Sequence, residues 1–211
     1  MWLPYAVAIF MASVSVTAEI IDRIAVSIGN SVITESELIE EIRVTAFLNH
    51  SEPLLTSEEK HNAAERLIKQ RLFKRDMGLS HYPMPAIEEG TKVAAAMRTP
   101  DPAGFDSDLE RCGITEEILA KHLWWQITLL QFLDYRFRSA IQLQEADIAD
   151  RYQKMKEDWE KKGETSIPTI EEARASIEKL LTDERVDQAA DRWLGDARTQ
   201  MDIRFHKEAF E

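Results

Sequence analysis

Residues 24–38 read IAVSIGNSVITESEL, and this stretch decides how the fold begins. Apolar residues alternate with small ones from Ile24 to Ile28, the period-two pattern of a half-buried strand. Gly29 and Asn30 both tolerate a positive φ, so they predict a tight turn into a second short arm at residues 32–33. The sequence therefore predicts a β-hairpin that leads directly into a helix.

Capping boxes mark where three helices begin. In each, a threonine is followed three residues later by a glutamate, so the two side chains satisfy free amide groups of the first turn. The pairs are Thr34 with Glu37, Thr56 with Glu59, and Thr169 with Glu172. We expect helices to start immediately after these three threonines.

Apolar periodicity and breaking residues predict the other helix boundaries. The second helix is expected to end at Gly78 as a C-terminal cap, with Leu79 making the usual hydrophobic contact. The next helices are expected around residues 87–97, from about 105 to Gly113, from Glu116 to about Arg138, and from 145 onward. The helix from Glu116 is apolar on more than one face, which predicts a central position with neighbours on several sides.

The end of the chain changes period. A long helix is predicted from Ile170 to Gln200, and Met201, Ile203 and Phe205 then alternate with polar residues as a strand. A two-stranded hairpin is marginal alone, so this strand is expected to pair with the strand at residues 23–28. The long helix would then lie across the N-terminal helices and bury Ile177, Leu181 and Trp193. The predicted fold is mainly α, with a small sheet formed by the N-terminal hairpin and the C-terminal strand.

Residues 1–18 differ from the rest of the chain. Trp2 to Ala18 contains no charged side chain, and Val16-Thr17-Ala18 places small residues where signal peptidase cuts. This pattern is typical of a cleavable secretory signal peptide and predicts a cut after Ala18, with a periplasmic product that is not inserted in the membrane. The alternative is an uncleaved membrane anchor, because seventeen residues is about the lower limit for spanning a bilayer.

Composition and charge exclude several classes of function. The chain carries a formal net charge of −12, and such an acidic surface repels phosphate backbones, which argues against a nucleic-acid partner. Cys112 is the only cysteine, so no intramolecular disulfide can form. The seven glycines are too scattered for a phosphate-binding loop, and the five histidines lack metal-pair spacing. His122 is interpreted as a packing residue, and we predict no catalytic site, no metal and no cofactor.

Several segments resemble one family when they are taken in order. Residues 21–38, IDRIAVSIGNSVITESEL, resemble the opening of the SurA-type periplasmic chaperones, in which a strand near an aspartate leads through a short turn into a helix. Further resemblance is carried by AERLI at 64–68, Met77-Gly78-Leu79, Phe105 to Arg138, EADIADRY at 145–152, and Ile170 to Phe205. The resemblance covers nearly all of the chain after the signal peptide. It implies an ATP-independent chaperone for unfolded polypeptides such as outer-membrane proteins.

The chain departs from this family where a parvulin prolyl isomerase domain would be inserted. Only residues 153–167 separate Tyr152 from Pro168, whereas a domain needs roughly a hundred residues. We therefore expect a chaperone module at 19–152, a charged linker at 153–168, and a C-terminal helix and strand at 169–211 that pack back on the module. Isomerase activity is expected to be absent.

Aromatic side chains are the candidates for a polypeptide-binding groove, since such a groove needs an apolar lining. The candidates are Trp124, Trp125, Phe132, Phe137 and Trp159, and the alternative for each of them is a core position. Two other functions compete with the chaperone: a prolyl isomerase, and a structural or self-associating envelope protein.

Overall fold

The structure is a computed structural model that describes residues 22–164 and 166–211. The strands are β1 (Ile24–Ile28), β2 (Ser31–Thr34) and β3 (Ile203–Phe205). The helices are α1 (Glu35–Leu48), α2 (Ser57–Leu79), α3 (Glu88–Arg98), α4 (Pro102–Cys112), α5 (Glu116–Phe137), α6 (Glu145–Lys161) and α7 (Ile170–Thr199). Short 3-10 turns lie at Arg138–Ala140 and Lys207–Ala209. The prediction of a mainly α fold with a small sheet is confirmed.

The sheet joins the two ends of the described chain. β1 lies between β2 and β3, and both pairings are antiparallel. Val26 faces Phe205 and Ile28 faces Ile203, as expected from the alternating pattern of the two segments. Gly29 turns the hairpin with φ +54, a conformation that side chains other than glycine seldom adopt. The predicted pairing of the C-terminal strand with the N-terminal hairpin is thus confirmed.

The helix starts follow the threonine signals, but one predicted helix end is wrong. Thr34 and Thr169 form complete capping boxes, and the Thr56 side chain accepts from the amide of Glu59. α2 does not end at Gly78; it continues through Leu79, and Ser80 is the cap. Ser80 Oγ donates to the carbonyl of Asp76 at 2.8 Å, so the last turn is satisfied without a glycine in the left-handed conformation.

The prediction of a linker at 153–168 is corrected, because α6 extends into this segment. This helix continues to Lys161, so most of the charged stretch is helical and only a short connection leads to α7. Charged residues are good helix formers on a solvated face, and ion pairs one turn apart support this helix, as between Lys156 and Glu160. The connection is anchored where Tyr152 donates from its hydroxyl to the carbonyl of Pro168 at 2.9 Å.

α7 is about 45 Å long at 1.5 Å per residue and contacts different neighbours along its length. Its C-terminal half packs on α2, where Trp193 stacks on Phe73 with ring centroids 4.9 Å apart. The prediction that this helix lies across the N-terminal helices is wrong for its N-terminal half. Ile177 instead packs with Ile148 of α6, and Leu181 lies against the same small core. α5 is central as expected, with contacts to α1, α3 and α7.

The C-terminal tail is most deeply buried beyond its strand. Met201 and Ile203 are half-buried and Phe205 is exposed, because β3 lies at the edge of the sheet. The buried residues are Ala209, with no exposed surface, and Phe210, which is 3% exposed. Both belong to the core that also contains residues of β1, β2, α1 and α2.

Candidate functional site

The five aromatic residues predicted to line a groove do not share one surface. Phe132 is fully buried, Trp125 is 4% exposed and Phe137 is 8% exposed. All three belong to the core between α2, α5 and α7. The prediction that these three residues line a groove is therefore corrected: they are core residues. A central helix that is apolar on several sides buries them against its neighbours.

The other two candidates are half-buried and lie in different parts of the fold. Trp124 donates its indole N–H to the carbonyl of Pro85 at 3.0 Å and packs against α3. Trp159 is at the end of α6, where its ring meets the Tyr152 ring edge-on at a centroid distance of 6.5 Å. The structure therefore does not bring the predicted set together.

An aromatic pocket does lie at the surface, beside β3. It has a volume of about 590 Å³, within the usual range for ligand sites. We call it the aromatic pocket, and it is lined by Ser57, His61, Phe205, Lys207, Phe210 and Glu211. α2 contributes one wall, and the C-terminal tail contributes the other.

Three rings shape the aromatic pocket. The His61 ring lies 4.2 Å from that of Phe210 and 6.1 Å from that of Phe205, nearly parallel to the latter. His61 is held in place because its Nδ1 donates to the carbonyl of Ser57 at 2.7 Å. The Phe205 ring is 36% exposed, whereas Phe210 is buried beneath it. An apolar side chain that enters the pocket would therefore meet preformed ring faces.

The outer edge of β3 lies next to this pocket. The amide of Gly29 donates to the carbonyl of Asp202, and the amide of His206 donates to the carbonyl of Ala25. Because bonding alternates along an antiparallel ladder, the N–H and C=O groups of Ile203 and Phe205 point away from β1. No backbone group in residues 22–164 or 166–211 hydrogen-bonds to them. We call these groups the open edge.

Buried polar contacts hold the tail that forms the pocket. Lys60 is 7% exposed, and its ammonium group donates to the carbonyls of Ala209 at 3.0 Å and Glu211 at 3.4 Å. The same group pairs with Glu35 at 2.9 Å. Arg23 adds a bond to the carbonyl of Glu208 at 2.6 Å. The open edge is therefore presented on a firmly held segment.

A second concave region lies between α1, α2 and α5, and we call it the polar cavity. Its volume is about 100 Å³. Glu41 is 6% exposed and pairs with Arg66 at 2.8 Å, while His122 Nδ1 lies 3.6 Å from its other oxygen. Burial lowers the pKa of His122, although the Glu41 carboxylate opposes the shift. His122 Nε2 is 2.8 Å from the Gln126 amide nitrogen, so the neutral ring has a partner on this side too.

Two of the predicted aromatic residues, Trp124 and Trp125, line this polar cavity rather than a groove. The Lys74 ammonium group lies over the Trp125 ring, 4.6 Å from its centroid. Burial lowers the pKa of Lys74, and the positive charges of Arg71 and Lys121 lower it further. The indole N–H of Trp125 is buried without a hydrogen-bond partner among the described residues.

The aromatic pocket depends on residues that sequence reasoning missed. Phe210 and His61 are absent from the predicted site residues, because the predicted C-terminal strand ends at Phe205. The signal that could have found Phe210 is the apolar pair Ala209-Phe210 after a polar stretch, which is typical of a buried terminal segment. His61 carries no signal of its own, since its partner rings come from the opposite end of the chain.

Comparison with known proteins finds no family model that matches the chain and no curated protein that matches its sequence. The resemblance to SurA-type chaperones therefore stays a prediction. Among the described residues, no helix combines the length and apolar character needed to cross a bilayer. The described part of the chain also contains no cluster of three or more side chains arranged as metal ligands.

Proposed function

We propose that the mature protein is an ATP-independent periplasmic chaperone that binds unfolded polypeptides, with unfolded outer-membrane proteins as its clients. The observation that carries this proposal is the open edge of β3 beside the aromatic pocket. An extended chain can add to such an edge as a further strand, and its side chains alternate between the sheet faces. Every second side chain then lies on the side of the aromatic pocket.

The proposed contacts favour broad and reversible binding. Backbone hydrogen bonds to Ile203 and Phe205 do not depend on client sequence, and each contributes only about 0.5–1.5 kcal/mol net. One apolar side chain buried against Phe205 and His61 adds roughly 1.5–3 kcal/mol. Ordering an unfolded segment offsets much of this gain, so weak affinity is expected. Unfolded strands of β-barrel proteins suit this mode because they alternate apolar and polar residues.

The open edge also supports a second candidate function, self-association. Unpaired strand edges pair readily with other copies of the same edge, and natural proteins usually protect them. β3 has only three residues, which limits such pairing. Light scattering that rises with protein concentration in the absence of client would favour this structural role over the chaperone.

A prolyl isomerase is the weakest of the three candidates. α6 occupies most of the segment where the family's isomerase domain would be inserted, and fewer than ten residues connect it to α7. We therefore expect no acceleration of proline isomerisation in a peptide turnover assay. Turnover well above the uncatalysed rate would assign an enzymatic role instead.

The chaperone proposal predicts suppression of client aggregation without ATP. We expect the mature protein to lower the light scattering of a diluted, unfolded β-barrel protein, and Phe205→Lys to abolish most of that effect. A lysine at this position removes a pocket wall and places a charge on the strand edge, which is how natural edges avoid pairing. Leu54→Lys is the matched control, because Leu54 is a 61% exposed apolar residue in the loop before α2.

Backbone pairing can be separated from side-chain burial with a short peptide from a β-barrel strand. N-methylation of alternate amides removes the donors on one edge, so one of the two alternating patterns should lose binding while the other keeps it. Equal binding of both methylated peptides would contradict strand addition. A wild-type protein that leaves client aggregation unchanged would contradict the chaperone proposal itself.

The proposed location makes a further prediction at the N-terminus, in residues that lie outside those described. We expect export to remove residues 1–18, because Val16 and Ala18 occupy the positions that signal peptidase recognises. Mass spectrometry of the exported protein should find Glu19 as the first residue. A chain that retains Met1 in the membrane fraction would contradict this and favour an anchor.

A further inference from the structure

Two lysines, one arginine and three glutamates line the polar cavity, and its two lysines are the positive charges without an ion-pair partner on the described elements around it. Lys74 and Arg71 reach it from α2, and Lys121 reaches it from α5. Arg71 is neutralised by Glu37, with their charged groups 2.5 Å apart. Lys74 and Lys121 form no ion pair within the described ranges, where the salt bridges of the cavity involve other side chains. Two like charges thus converge from two helices on one small cavity.

The indole of Trp125 adds a donor that has no acceptor among the described residues. Its N–H is shielded from solvent, and the residue is more than nine-tenths buried. An unpaired buried donor costs roughly 1–3 kcal/mol, so natural structures rarely retain one without a reason. The Lys74 ammonium group covers the ring of the same residue. A lysine side chain is unbranched and flexible, so the ammonium group can leave the ring face to meet a ligand.

We propose that the polar cavity binds a monocarboxylate. One carboxylate oxygen accepts from the Lys74 ammonium, and the other accepts from the indole N–H of Trp125. Lys121 supplies a second positive charge at the mouth of the cavity. A short aliphatic tail packs against Val44 and Leu67, which form its apolar wall.

The remaining charge selects against larger anions. Glu40 also lines the cavity without an ion pair among the described residues, and its carboxylate repels a doubly charged phosphate or sulfate more strongly than a single negative charge. The volume of about 100 Å³ also limits the ligand to a small group.

Such a carboxylate has two possible sources, a free short-chain acid or the carboxyl terminus of a polypeptide. This inference concerns a different surface from the open edge and does not depend on the chaperone proposal.

The test is a titration of the folded protein with sodium propionate, followed by the ¹⁵N–¹H signal of the Trp125 indole. Trp125→Phe assigns that signal among the five tryptophans of the chain. We expect a saturable shift with propionate, and no such shift with sodium chloride or sodium phosphate at equal ionic strength. Lys74→Met should weaken binding at least about tenfold, since a charge-assisted hydrogen bond is lost.

Lys154→Met is the matched control, because Lys154 is an exposed lysine on α6 that does not line the cavity. N-acetyl-trialanine and its amide separate the two carboxylate sources. Binding of the free acid but not the amide indicates a polypeptide terminus, whereas binding of propionate alone indicates a small acid. An unshifted indole signal in all carboxylate titrations overturns the proposal, and so does full propionate binding by Lys74→Met.

Discussion

Removal of residues 201–211 is expected to lower the free energy of unfolding by about 5 kcal/mol or more, summing lost apolar burial and unpaired polar groups. The deletion removes β3 from the sheet and Phe210 from the core. It also removes two carbonyl acceptors of the buried Lys60 ammonium group, which leaves Glu35 as its remaining partner. Because domains are stable by only about 5–15 kcal/mol, much of the truncated chain should be unfolded at room temperature.

Two point variants identify which part of the tail carries this stability. Phe210→Ala should cost about 3–5 kcal/mol, the usual loss for a buried phenylalanine. Phe205→Ala should cost much less, because its ring is 36% exposed. Thermal melting and urea denaturation measure both effects. A truncated protein that melts at the temperature of the full mature protein would show that the sheet closure contributes nothing.

Replacement of Gly90 by alanine is expected to destabilise the protein by about 2 kcal/mol or more, as overpacking of a tight interface usually does. Gly90 lies on α3 where that helix touches α5. A Cβ at this position would overlap the carbonyl oxygen of Ala120 and lie 2.7 Å from the Cβ of Trp124. These atoms belong to the helix backbone and its first side-chain carbon, so the two helices must move apart. Ala94, which is fully buried on the same face, would lose its packing as well.

Gly195→Ala is the matched control for this prediction. Gly195 is also a glycine inside a helix, but a Cβ there would meet no atom of residues 22–164 or 166–211 within 4 Å. The substitution should therefore stabilise α7 by about 0.5–1 kcal/mol through helix propensity alone. Opposite signs for the two variants in urea denaturation are the expected result. A neutral or stabilising effect of Gly90→Ala would mean that the α3–α5 contact is looser than the structure has it.

Local signals in the sequence were enough to predict the elements of the fold. The hairpin could be identified because alternation on either side of Gly29-Asn30 is a short-range pattern. Thr34 and Thr169 marked helix starts for the same reason, since a capping box involves residues only three apart. The end of α2 was not predictable from Gly78, because the last turn is closed by a hydrogen bond from the Ser80 side chain and not by a glycine cap.

The candidate site was far less predictable. An aromatic residue has the same local pattern in a core and in a groove, and only its neighbours in space decide which it is. Phe132 and Trp125 are enclosed by α2 and α7, which lie far from them in sequence. The aromatic pocket joins His61 to Phe205 and Phe210, about 150 residues further along. No short stretch of the sequence contains both His61 and the two phenylalanines.

The sequence by itself determined the fold class, the hairpin, the helix starts and the pairing of the two ends of the described chain. Each of these follows from a repeat of two or 3.6 residues, or from a hydrogen bond between near neighbours. Only the tertiary structure decided which aromatic side chains are buried, where the sheet edge stays open, and how Lys74 and Lys121 come to share a cavity. Those features depend on how helices distant in sequence pack together, because exposure and charge proximity are properties of a surface in three dimensions.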